Sequence, residues 1–152
     1  MVFFKLKYQF IKFIENIPIL QIFIYNNLSK LKFLFPHDKD YLALKIIFKK
    51  NEDRDFIDIG GNIGLSSIGF RELGFNNNTI HVFEPDKFLI NKYLKKLSLN
   101  YKNIKIYNFG LSSKNSHQKL FKAYYKNKYF HFNSSFDKKY LKNKIKENYP
   151  NK

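Results

Sequence analysis

Phe56-Ile57-Asp58-Ile59-Gly60-Gly61-Asn62-Ile63-Gly64 is the stretch that decides how this chain folds. A short, mostly apolar run that ends at paired glycines reads as a buried strand followed by a sharp turn. Residues 65–73 continue as a helix stopped by Gly74. A strand that passes through glycines into a helix leaves backbone N–H groups at the helix start, and a Cβ in the turn would block a ligand lying against it. The spacing is Gly60-x-Asn62-x-Gly64 with Asp58 ahead of it. It is not the G-x-G-x-x-G of dinucleotide enzymes, whose third glycine lies one turn into the helix. Asp58 would repel a pyrophosphate and suits a ligand that carries an ammonium group.

The same rhythm continues outward. Residues 79–83 read as a second strand, ended by Glu84-Pro85. Residues 86–99 read as a long helix with Phe88, Leu89, Tyr93, Leu94 and Leu97 on one face, and 104–107 as a third strand. The expected fold is therefore α/β, a partial doubly wound parallel sheet built from three βα units. Ligands of such sheets bind beyond the carboxyl ends of the strands, where Glu84 stands and where a carboxylate can accept both hydroxyls of a ribose. After the third strand, Asn108-Phe109-Gly110-Leu111-Ser112 offers backbone and apolar groups to an adenine ring.

Three ordered runs carry a resemblance: FIDIGGNIGLSS (56–67), VFEPDKFLINKYLKKLSLN (82–100) and NIKIYNFGLSSKNSHQKLF (103–121). They resemble the FkbM-type family of S-adenosylmethionine-dependent methyltransferases, whose members show D-x-G-A-N-x-G, then F-E-P with a downstream L-x-x-N-x-x-L-N pattern, then an A-L-S-D-like turn. Asp58, Gly60, Asn62 and Gly64 match the first element, with Gly61 in place of Ala. Phe83, Glu84 and Pro85 match the second, closed by Leu99-Asn100. Leu111 and Ser112 match the third, with Gly110 for Ala and Ser113 for Asp. The resemblance implies S-adenosylmethionine as cofactor, held by Asp58, Gly60, Gly61, Asn62, Gly64, Glu84, Gly110 and Leu111. It also implies methyl transfer to the hydroxyl of a small-molecule acceptor, a sugar or natural product. Members of the family continue into a fourth strand with a D-x-E-G-like turn, which lies beside the first strand. The expectation is thus a truncated chain or one piece of a split enzyme, its sheet edge covered by a missing half, a partner chain or its own flanks.

Composition bounds the alternatives. The formal charge of +16 is carried by the flanks: nine Lys against three acidic residues in 1–50, thirteen Lys against two in 101–152, and a near-neutral centre. Only Arg54 and Arg71 are arginines, whereas nucleic-acid readers rely on Arg forks. Abundant Lys, Asn, Ile, Phe and Tyr point to A/T-rich codons rather than to a specific nucleic-acid partner. A non-catalytic basic module that docks on an anionic membrane surface or nucleic acid stays open as the alternative. The lack of cysteine removes disulfides, thiolate zinc sites and a Cys nucleophile, and four scattered histidines give no metal site. His81 reads as structural, His117 and His131 have no visible partner, and no catalytic residue is assigned.

Three segments are expected: a helical, apolar and basic extension over 1–37, the cofactor-binding domain over 38–125, and a basic segment over 126–152 that is partly helical. The extension has no apolar run approaching ~18 residues and no cleavage site, so neither a membrane span nor a secretory signal is read, and a cytoplasmic location is expected. It fits a helix packed on the core, with peripheral membrane contact through Lys5, Lys7 and Lys12 as the second reading. Asp38 or Asp40 is expected to cap a helix after the turn at 37–40, 118–125 to form a further strand, and Ser135 to cap a terminal helix with Phe136, Tyr140, Leu141 and Ile145 on its apolar side.

Overall fold

Short apolar runs bounded by Gly and Pro become parallel strands, and the intervening amphipathic stretches become the helices that carry the chain back. The structure, a computed structural model, describes residues 40–48, 54–125 and 128–148. The expected extension over 1–37, with its membrane-surface reading, and the capping role of Asp38 lie outside the described residues. The elements are α1 (Tyr41–Ile47), β1 (Phe56–Ile59), α2 (Leu65–Glu72), β2 (Ile80–Phe83), a helix α3 over 87–100, β3 (Ile104–Tyr107), β4 (Phe121–Tyr125), β5 (Lys128–Ser135) and α4 (Lys138–Asn148).

The first sheet has the order β1-β2-β3, all parallel, with Phe56, Ile80 and Ile104 in register at one end and Ile59, Phe83 and Tyr107 at the other. Its core face is apolar: Ile80 and Val82 pack with Ile68 of α2 and with Ile90, Leu94 and Leu97 of α3. Phe56 joins that face and stacks on Phe70 at 4.6 Å between ring centres. Arg71 ties the end of α2 to the turn before β3, its guanidinium donating to the carbonyls of Phe75, Lys102 and Asn103. Gly74, at φ +96°, makes the left-handed exit expected after α2.

The opposite face carries Ile57, Ile59, His81, Phe83 and Tyr107. Ile57 is 63% and Ile59 66% exposed, so no described residue covers β1 on this side. β1 is an edge strand among the described residues. His81 stacks on Tyr107 and hydrogen-bonds Asp55 and the Tyr107 hydroxyl, the structural role expected of it.

Helix α3 is less regular than its sequence suggests, since a π-type turn, Ile90–Leu94, interrupts it. Phe88, expected on the buried side, is 47% exposed, while Ile90 joins Leu89, Leu94 and Leu97 in the core. Asp86 caps the helix by accepting from the Phe88 N–H at 2.9 Å. Asp40 precedes α1 but makes no side-chain cap bond, and α1 buries none of its residues.

The strand expected over 118–125 is present as β4, and it pairs antiparallel with β5. The segment expected as partly helical over 126–152 thus opens with a strand, and the β4–β5 hairpin spans the expected boundary at 125/126. Ala123, Phe130 and Leu141 form a small second core beneath α4, joined by Phe121 and Ile145. Asp137, not Ser135, caps α4: its carboxylate accepts from the Lys139 and Tyr140 N–H groups, while the Ser135 hydroxyl accepts from the Asp137 N–H. Among the described residues no helix is long and apolar enough to cross a membrane.

Candidate functional site

At the carboxyl ends of the first sheet lies a cavity of about 240 Å³ lined by residues of four segments. Ile59, Gly60 and Asn62 come from the end of β1 and the turn after it, and Glu84, Pro85 and Leu89 from the exit of β2 and the first turn of α3. Gly110 and Leu111 follow β3, while Leu120, His131, Ser134, Ser135 and Phe136 belong to the hairpin and its flanks. Gly60, Asn62, Glu84, Gly110 and Leu111 are thereby brought together. Asp58, Gly61 and Gly64 do not line this space.

Those three residues sit behind the wall, each for a reason visible in the packing. Asp58 is 7% exposed and accepts from the Ser67 hydroxyl at 2.7 Å. A Cβ on Gly61 would stand 2.1 Å from Val82 Cγ1, and one on Gly64 would stand 2.6 Å from Leu97 Cδ2. Glycine at these two positions lets β2 and α3 approach the turn closely. Gly60 differs: at φ +76° it has no atom within 4 Å of a built Cβ, and it faces the cavity.

The expectation of unoccupied N–H groups in the turn is corrected. Gly60 and Gly61 both donate to the Phe83 carbonyl, at 2.9 and 3.1 Å, and Gly64 donates to the Gly61 carbonyl at 2.7 Å. Asn62, in the left-handed region at φ +50°, donates its N–H to Glu84 Oε2 at 2.7 Å. The second Glu84 oxygen accepts from the Asp86 N–H, also at 2.7 Å. The turn satisfies itself and a carboxylate, so it does not present the ring of donors that cradles phosphates.

What the site presents instead is negative charge. Asp58, Glu84 and Asp86 are 7%, 5% and 3% exposed. Burial pushes the Glu84 carboxyl up; the N–H bonds from Asp86 and Asn62 oppose this, and the charges of Asp86 and Asp58 add to it. Burial likewise raises Asp58 against the pull of Ser67. Asp86 is different: burial pushes it up, but the Lys122 ammonium at 2.7 Å and the Tyr129 hydroxyl at 2.6 Å outweigh that and bring it below the ordinary value. Asp86 thus has a cation, whereas no Lys or Arg among the described residues pairs with Asp58 or Glu84. Two buried carboxylates without a counter-charge favour a positively charged ligand in the adjoining space.

Four further residues belong to the site and were not read from sequence. Asp86, Lys122 and Tyr129 tie the hairpin to the β2 exit. His131 lies with Nδ1 2.7 Å from Asn62 Oδ1, while the Asn62 amide donates to the His131 carbonyl at 3.4 Å. This amide orientation puts the ring proton on Nδ1. Burial lowers His131 to about 4, with Lys92 adding to the effect, so the ring is neutral at pH 7. The signal for β5 was present in the alternating run KYFHFNSS, which places Tyr129 and His131 on one side and Phe130 on the other. Nothing local marks which partners they reach. Among the described residues no group of His, Asp and Glu is arranged to hold a metal ion. No protein-family model, curated protein or solved structure matches the chain.

Proposed function

We propose that this chain is the cofactor-binding part of an S-adenosylmethionine-dependent methyltransferase of the FkbM type, acting on the hydroxyl of a sugar or other small molecule. The observation that carries the reading is the pairing of Glu84 and Asp58 at the tips of adjacent parallel strands, both buried and neither neutralised by a basic side chain. A ligand with a ribose diol and a net positive charge near the methyl group answers both features. When bound, S-adenosylmethionine supplies an electrophilic methyl group on a sulfonium centre.

The chain's own residues divide the work. Glu84 accepts the ribose hydroxyls, and Gly60 leaves room for the ligand against the turn. Gly110, Leu111, Pro85 and Phe136 form an apolar wall suited to a purine face. Asp58 acts from behind the turn through its charge rather than by contact. The cavity, at about 240 Å³, lies just under the ~300 Å³ at which small-molecule sites begin. It therefore suits the nucleoside portion. A pyrophosphate fits poorly, because two buried carboxylates without a counter-charge and a self-satisfied turn oppose it.

Calorimetry of the purified chain with S-adenosylhomocysteine tests the reading. Binding is expected, with NAD giving none, and Glu84→Ala is expected to weaken it about tenfold or more. Folded wild-type protein that shows no heat and no competition would sink the proposal.

A further inference from the structure

Glu84 is held by two backbone N–H groups, and each belongs to a residue whose side chain also grips the β4–β5 hairpin. Asn62 donates its N–H to Oε2 and receives the His131 ring at Oδ1. Asp86 donates its N–H to Oε1 and receives Lys122 and Tyr129 on its carboxylate. The hairpin and the residues just beyond it also supply His131, Ser134, Ser135 and Phe136 to the cavity wall. Seating of the hairpin and orientation of Glu84 are therefore joined through two residues.

The geometry has a chemical consequence. A carboxylate offers about four acceptor positions, two on each oxygen. The two N–H bonds occupy one on each, which leaves one on each for a pair of neighbouring hydroxyls. The direction of the remaining lone pairs follows from where Asn62 and Asp86 stand. Asn62 holds its N–H toward Glu84 only in a left-handed backbone conformation, φ +50°, which a non-glycine residue adopts at a cost. The paired contacts of its amide with the His131 ring and carbonyl offset that cost.

We propose that His131 is a positioning residue for ribose recognition: through Asn62 it fixes the orientation in which Glu84 accepts the diol, and this makes the hairpin part of the ligand site. The inference rests on the cofactor reading given above and adds to it a residue and an element outside the three strand-tip motifs. In this role His131 acts through Asn62.

The readout is discrimination between ligands, which a merely structural role leaves unchanged. Calorimetry on the full chain compares adenosine with 2′,3′-dideoxyadenosine, and the ratio of the two affinities measures diol recognition. His131→Phe keeps a ring and removes the N–H, so the ratio should fall about tenfold. His131→Asn carries an amide N–H where the imidazole Nδ1 stood and should keep the ratio within about threefold of wild type. His131→Gln, polar and of similar size but with its amide one carbon further out, should fall as His131→Phe does. It serves as the second variant should the Phe form not fold. A ratio unchanged in both the Phe and Gln variants overturns the inference and leaves the cofactor reading intact. The same holds for a wild type that binds S-adenosylhomocysteine but does not distinguish the two nucleosides. Folded wild type that fails to bind S-adenosylhomocysteine overturns the cofactor reading, and the positioning role with it.

Discussion

Ser67 and Asp58 meet behind the glycine turn, hydroxyl to carboxylate at 2.7 Å, with Ser67 fully buried and Asp58 7% exposed. The hydroxyl and N–H of Ser67 are modest partners for a carboxylate removed from water, and burial raises Asp58 above its ordinary 3.8 despite them. For a carboxyl raised in the folded state, the stabilisation is complete below the ordinary value and is lost as pH rises through the folded one. The ionised form of Asp58 therefore opposes folding. Asp58→Asn keeps an acceptor for Ser67 and cannot ionise, so its thermal midpoint should gain on that of the wild type as pH rises. Binding of a cationic ligand should weaken by about tenfold, as expected for loss of one partly screened charge. Melts and calorimetry on the same preparation check both halves. A stabilised variant with unchanged affinity would remove Asp58 from the ligand's electrostatics.

His131 gives the opposite pH dependence. Burial lowers it from 6.5 to about 4, so the unfolded chain takes up a proton before the folded one does. The stability it contributes is present above the unfolded value and is lost as pH falls from 6.5 toward 4. The shift corresponds to on the order of 3 kcal/mol across that window. Asp58 and Glu84 titrate with the reverse sign, so the difference between wild type and His131→Asn isolates the histidine. Urea unfolding at a series of pH values should show the wild type losing more stability than the variant on acidification. Parallel curves would mean that the ring is accessible to protons in the fold.

The first sheet was legible because buried parallel strands leave a local trace: short apolar runs such as 56–59 and 80–83, each closed by Gly or Pro. Gly74 and Asp86 likewise announce the end of α2 and the start of α3. The glycine turn was legible as a shape but not as a function. The same residues make either an anion cradle or a turn whose donors are taken by Phe83 and Glu84, and only the reach of Glu84 across 22 positions decides between them. The hairpin was half legible. β4 was read, whereas β5 lies among lysines and gains its meaning from contacts 43 and 69 positions away, Tyr129 on Asp86 and His131 on Asn62. Side-chain bonds over such separations leave no periodic signature, so His131 looked partnerless until Asn62 stood beside it.

Three neighbouring glycines should respond differently to alanine. Gly64→Ala meets both a left-handed backbone, φ +86°, and Leu97, and should cost about 3 kcal/mol. Gly61→Ala meets Val82 and should cost about 2 kcal/mol, much of it recovered when Val82→Ala is added. Gly60→Ala has open space and only the backbone cost, about 1 kcal/mol, but its methyl points toward the cavity. It alone should weaken S-adenosylhomocysteine binding more than it weakens the fold. Chemical denaturation beside calorimetry separates the three, and equal costs would mean that the turn relaxes as a unit.

The Tyr129 hydroxyl donates to Asp86 at 2.6 Å, and Lys122 stands 2.7 Å from the other oxygen of the same buried carboxylate. Tyr129→Phe removes one neutral donor and should cost about 1–2 kcal/mol. Lys122→Met removes the only cation paired with Asp86 among the described residues and should cost more, about 3 kcal/mol. The two cores are separate, Ala123, Phe130 and Leu141 in one and Ile80, Val82 and Leu94 in the other. The loss should therefore be local. Hydrogen exchange is expected to speed up across β4 and β5 in both variants while the amides of β2 keep their protection. Acceleration of equal size in both sheets would show that the hairpin and the parallel sheet open together. The Asp86 bonds would then stabilise the whole fold rather than seat the hairpin over the site.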